Sequence, residues 1–129
     1  MNLRNKNILI TGVGKGLGKS MVEYFLKSGA NVYGVTRSKS DINKFNKNTK
    51  LKLYLGDVRN TKIIKKILKQ SVKDKRIING LVNNAGIRQR LKFTKISSKD
   101  IKNIFDINFF SVFEILKIYM DYVKKYRIK

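Results

Sequence analysis

The chain has 129 residues, enough to bury one core but too few for two independent ones. It contains no Cys and no His, which excludes disulfides, thiolate and imidazole metal sites, cysteine nucleophiles and Ser-His-Asp triads. Thirty Lys+Arg against eight Asp+Glu give a net charge of +22, but the cations are mostly lysine and run evenly along the chain, which fits a solvated surface better than a specific nucleic-acid interface.

The first element is the apolar run Asn7-Ile8-Leu9-Ile10-Thr11, a buried parallel strand that meets a cluster of glycines. Leu17, Met21, Val22 and Phe25 then recur at helical spacing, and Gly29 ends that helix as a C-terminal cap. Asn31 to Thr36 reads as a second strand. A polar stretch follows from Arg37 to Lys50, with a short helix expected around Ile42 to Phe45.

Leu51 to Leu55 alternates like a third strand and ends at Gly56-Asp57-Val58. Ile63, Ile64, Ile67, Leu68 and Val72 mark the next helix, and Ile77 to Val82 gives a fourth strand that stops at Asn83-Asn84-Ala85-Gly86. Such β/α alternation implies a parallel sheet covered by helices on both faces. The last helix is expected from an N-cap at Ser97 or Ser98 to about Lys125, with an apolar stripe of Ile101, Ile104, Phe105, Val112, Leu116, Met120 and Val123. Phe109, Phe110 and Phe113 widen the stripe beyond one face, so this helix expects a neighbour besides its own sheet. No run is long and apolar enough for a membrane span or a targeting segment, and the expected location is the cytoplasm with no membrane partner.

The segment Thr11-Gly12-Val13-Gly14-Lys15-Gly16-Leu17-Gly18 joins a strand to a helix N-terminus, where free N–H groups and the helix dipole favour an anion. The pattern G-x-G-x-x-G fails from Gly12, Gly14 and Gly16 alike. A P-loop is also one residue out, because Gly18-Lys19-Ser20 supplies its ending while its first glycine falls on Val13. The pattern that fits is T-G-x-x-x-G-x-G, through Thr11, Gly12, Gly16 and Gly18. Together with Asp57 after the third strand, Asn83-Asn84-Ala85-Gly86 after the fourth, and Asn108 in the next helix, it makes the chain resemble the short-chain dehydrogenase/reductase family.

That resemblance implies a Rossmann-type doubly wound parallel sheet in the order 3-2-1-4, residues 1–129 forming one NAD(P)-binding domain that stops before a fifth strand. It sets the cofactor along Thr11, Gly12, Gly14, Lys15, Gly16, Leu17 and Gly18, with Asp57 and Val58 against the adenine and Asn84, Ala85 and Gly86 on the ribose and nicotinamide side. Asn83 would brace the sheet. Asn108 would bend its helix and hold a water of the proton relay, although an amide satisfied by neighbouring backbone is the commoner reading of such an Asn. Asp57 could equally cap the helix after it. Thr36 stands where an acid would take the ribose 2′-hydroxyl of NAD, and Arg37 with Lys15 can neutralise a 2′-phosphate, so NADP is expected over NAD. Arg88 and Arg90 lie in what would be the substrate loop, where an exposed basic surface explains them equally well.

Catalysis in the family rests on a Ser and a Tyr-x-x-x-Lys pair. None of the tyrosines here has a lysine four residues on. The implied function is therefore the cofactor half of an NADP-dependent oxidoreductase acting on a carbonyl or secondary alcohol, inactive alone. A homo-oligomer or a complementing C-terminal half would cover the last helix. The alternative is a non-catalytic nucleotide-binding or interaction module that pairs through that helix.

Overall fold

A computed structural model describes residues 2–45 and 47–128. Four parallel strands, β1 (Asn7–Thr11), β2 (Asn31–Thr36), β3 (Leu51–Leu55) and β4 (Gly80–Val82), form one sheet in the order β3-β2-β1-β4. The expected topology is present. The helices between them are α1 (Gly16–Lys27), α2 (Lys39–Ile42) and α3 (Lys62–Lys73), and β4 is followed by α4 (Ser98–Phe105) and α5 (Ser111–Tyr126).

The period-two alternation of each strand sends side chains to two separate cores. Leu9, Tyr33 and Val35 pack on one face with Ile64, Ile67 and Leu68 of α3 and Ile115, Tyr119 and Tyr122 of α5. Ile8, Ile10 and Val32 pack on the other with Val22 of α1 and Ala30. Parallel strands buried on both faces need this double cover, which explains why β1 is buried at all five positions. Gly29, at φ +93°, closes α1: its N–H reaches the Leu26 carbonyl at 3.0 Å and that of Ala30 reaches Phe25 at 3.0 Å. A Cβ-bearing residue would resist that left-handed turn.

Four boundaries differ from the sequence expectation. The short helix lies at Lys39–Ile42 rather than 42–45, and the fourth strand keeps only Gly80–Val82. The cap of α3 is Thr61, so Asp57 does not cap it. The last helix, correctly begun by a reciprocal Ser97–Asp100 capping box, is interrupted by a π turn over Asp106–Phe110.

The stripe on that helix is also corrected. Its inward face is Ile107, Ser111, Ile115, Tyr119 and Tyr122, whereas Ile101, Phe105, Leu116 and Met120 are exposed. Two hydroxyls on the inward face are satisfied: that of Ser111 donates to the Ile107 carbonyl at 2.6 Å, and that of Tyr122 accepts from the Ile78 N–H at 3.0 Å.

Candidate cofactor site

The carboxyl ends of β1, β2, β3 and β4 open onto one cleft of about 370 Å³, lined by Gly12, Gly14, Lys15, Leu17 and Gly18 from the glycine turn. Opposite them stand Thr36, Arg37, Asp57 and Val58, with Asn84, Ala85, Gly86 and Ile87 beyond β4. Every cofactor residue expected from the sequence lines this cleft except Thr11 and Gly16, which belong to the turn itself. Doubly wound sheets bind ligands in this crevice, where strand order reverses between β1 and β4.

The turn is shaped by close approach of backbone. Gly12 sits at φ +73°, and a Cβ there would lie 2.7 Å from Ala85 Cα; a Cβ on Gly18 would run into the Gly12 carbonyl. Gly16, at φ +52°, faces open space. Lys15 at the N-cap of α1 contributes no side-chain bond, leaving the first-turn N–H groups available to an anion. This uncapped helix start beside a glycine cradle fits a dinucleotide pyrophosphate. Leu17 is 69 % exposed, so it borders the cleft rather than joining the core face of α1.

Thr11 and Asn84 stitch the turn to the strand β4. The Thr11 Oγ1 accepts from the Asn84 and Ala85 N–H groups at 3.1 Å each, and Asn84 Nδ2 donates to the carbonyls of Thr11 at 3.1 Å and Gly12 at 2.9 Å. Asn83 Oδ1 is buried and, among the described residues, without a donor. Asn108, in the π turn, holds the backbone of Ile87 through both amide atoms, and its Oδ1 lies 3.3 Å from where a Gly86 Cβ would stand. The amide of Asn108 is thus satisfied by neighbouring backbone, beside the cleft.

Each of the two acids that line the cleft is paired with a cation, Asp41 with Lys44 and Asp57 with Arg59. Asp57 accepts from the Arg59 N–H at 2.9 Å and from its guanidinium at 2.7 Å, contacts that hold its carboxyl below the usual carboxylate range, with Arg37 adding to the effect. Sequence reasoning missed Asp41. Its Oδ1 is 2.6 Å from Lys44 Nζ, its Oδ2 accepts from the Thr36 hydroxyl at 2.9 Å, and its carboxylate abuts Gly14. Lys44 and Thr36, with a smaller contribution from Lys15, hold this carboxyl below its ordinary value. The one available signal was an acid closely following the end of β2, in a stretch with no periodicity to place it.

Among the described residues no cluster of acidic or imidazole ligands could hold a metal ion, and no helix is long and apolar enough to cross a membrane.

The family model of the short chain dehydrogenases matches residues 6–127. An uncharacterized oxidoreductase of Saccharomyces cerevisiae is 33 % identical over 125 residues, which cover 93 % of this chain and 49 % of the yeast protein. An NADPH-dependent pterin aldehyde reductase of Arabidopsis thaliana is 30 % identical over 117 residues, covering 87 % of this chain and 48 % of its own length. The crystal structure of a short chain dehydrogenase from Bacillus anthracis superposes with a TM-score of 0.89 at 26 % identity, covering 98 % of this chain and 55 % of that one. The chain spans about half the length of the curated relatives it matches. With the fold, the cleft and the matched family model in agreement, the chain belongs to the short-chain dehydrogenase/reductase family.

Proposed function

We propose that this chain is the cofactor-binding half of a nicotinamide-dinucleotide-dependent oxidoreductase that transfers hydride to or from a carbonyl or secondary alcohol. The observation that carries the reading is the uncapped start of α1 against the Thr11–Gly18 turn, which the amide of Asn84 holds in place. The pyrophosphate would lie on that helix end, the adenine beside Asp57 and Val58, and the nicotinamide side along Ala85 and Gly86. The nicotinamide supplies the hydride; what these residues supply is binding and orientation. The catalytic Ser and Tyr-x-x-x-Lys would come from chain outside this sequence.

Lys15 and Arg37, with no acid at Thr36, support NADP as the cofactor, and the Arabidopsis relative is NADPH-dependent. Titration of the purified chain with NADPH, followed by the nicotinamide fluorescence, tests the reading. Saturable binding that needs no magnesium and survives Lys19→Ala is expected, since Lys19 lies on the outside of α1 against Glu23 at 3.6 Å. Magnesium-dependent ATP binding lost in Lys19→Ala would replace it with a P-loop reading. Binding of any polyanion with a steep salt dependence would replace it with a charge-driven one.

A second reading, an interaction module, is favoured by one group of observations. Phe105, Phe109, Phe110, Phe113, Leu116 and Met120 are all exposed on α4, the π turn and α5, and among the described residues β4 pairs only with β1 and Asn83 Oδ1 lacks a donor just beyond β4. Further polypeptide against β4 and the last helix, from a complementing half or a second copy, would satisfy all three.

A further inference from the structure

Binding of the adenosine end of a dinucleotide in this fold turns on the charge at the end of β2, where a carboxylate accepts the ribose 2′-hydroxyl and a cation accepts a 2′-phosphate. The sequence places Thr36 there, with no acid. The fold nevertheless brings a carboxylate to that point. Asp41, on α2, reaches back to the Thr36 hydroxyl at 2.9 Å, closes on Gly14 of the glycine turn, and lines the same cleft as Lys15, Arg37 and Ser38. Its side chain is only 16 % exposed, and its second oxygen is fixed on Lys44 at 2.6 Å.

We propose that Asp41 is a specificity-determining residue of the cofactor cleft, a carboxylate that offers an acceptor to a free ribose hydroxyl and opposes a phosphate in the same place. The inference rests on the cofactor reading above and refines it. Lys15 and Arg37, the two cations that favour a 2′-phosphate, line the same cleft as the acids Asp41 and Asp57. Discrimination between the two dinucleotides is then the small difference of opposing charges, and it is Asp41 that keeps the 2′-phosphate side from dominating.

The geometry makes Asp41→Asn a clean change. The amide keeps the shape and an acceptor for Thr36 while removing the charge. Asp41→Glu keeps the charge.

The test is calorimetric titration of the full chain with ADP and with adenosine 2′,5′-bisphosphate, neither of which requires catalysis. In Asp41→Asn the bisphosphate is expected to tighten about tenfold relative to ADP, the order expected for removing one like charge from a partly solvated site. Asp41→Glu is expected to keep the unsubstituted ratio to within about twofold. An unchanged ratio in Asp41→Asn, with both ligands still bound, overturns the role of Asp41 and leaves the cofactor reading standing. Loss of both ligands in that variant alone makes Asp41 a structural support of the turn and overturns the proposal too. Failure of the unsubstituted chain to bind either ligand or NADPH removes the cofactor reading itself, and the proposal with it.

Discussion

Asn108 and Ile87 are joined by two hydrogen bonds: Oδ1 accepts from the Ile87 N–H at 2.9 Å, and Nδ2 donates to the Ile87 carbonyl at 2.7 Å. A side-chain amide here does what a neighbouring strand would do, fixing the backbone that leaves the cleft after Gly86. The π turn around Asn108 re-aims the helix where that amide meets the loop, while Ile107 enters the core beside it.

Replacing Asn108 by Ala removes both bonds, in a place where water can partly compensate. The expected loss is about 1–2 kcal/mol of stability, read as a shift of the urea midpoint at constant slope. Asn108→Asp should be no better than Ala, because a carboxylate oxygen would then face the Ile87 carbonyl. An Asp variant as stable as the unsubstituted chain would mean that the clamp is not formed in solution.

Two glycines of the turn should respond differently to the same methyl group. Gly12→Ala puts a Cβ 2.7 Å from the Cα of Ala85, a backbone atom that cannot step aside, in addition to the strain of φ +73°. Gly16→Ala meets nothing within 4 Å among the described residues and carries only the strain of φ +52°. The first variant is expected to lose well over the roughly 1 kcal/mol that a left-handed conformation costs a non-glycine residue, and the second about that much. Thermal denaturation of the two variants side by side measures the difference; equal losses would argue that the turn does not press on Ala85.

The exposed aromatic face of the last helix predicts concentration-dependent association. Phe109 and Phe113 are 60 % and 57 % exposed, within a patch that also includes Phe105 and Phe110. Sedimentation velocity should show self-association that falls in the double variant Phe109→Lys, Phe113→Lys, with the far-ultraviolet spectrum unchanged because neither side chain enters either core. Monomeric behaviour of the unsubstituted chain across the accessible range would remove the case for a second copy on this face.

The sheet was legible because its signals are local. Ile8 to Ile10 is an unbroken apolar run, Gly12 and Gly18 are demanded by backbone approach, and Gly16 and Gly29 are favoured by a positive φ. The inward face of α5 was not legible, because it is built from Ser111, Ile115, Tyr119 and Tyr122, and the Tyr122 hydroxyl meets its partners, Ser71 and the Ile78 N–H, only once the chain is folded. A hydrophobicity count instead selects Leu116 and Met120, which face outward. Asp41 was hidden for a similar reason: α2 is four residues long and aperiodic, and only tertiary structure brings its carboxylate to Thr36.

Asp74, at the C-terminal end of α3, gives the fold a testable acid limb. It accepts from Lys52 Nζ at 2.6 Å, from Gln70 Nε2 at 2.9 Å and from the Tyr33 hydroxyl at 2.8 Å, tying β2 and β3 to the end of α3. The Lys52 contact is the largest cause of a carboxyl lowered from 3.8 to about 2. Because the folded value lies below the unfolded one, the unfolded state binds more protons through this window, and stability rises with pH across it. The contribution of Asp74 is therefore complete above 3.8 and is lost as pH falls toward about 2. Asp41, Asp57 and Asp100 are also lowered, so the test is a difference: urea unfolding of the unsubstituted chain and of Asp74→Asn across the acid range. The gap in stability between the two should be constant from neutral pH down to about 5 and narrow steadily below 3.8. A gap that does not change with pH would show that the Asp74 carboxyl titrates alike in the folded and unfolded chain, and that its three partners hold the proton form as well as the charged one.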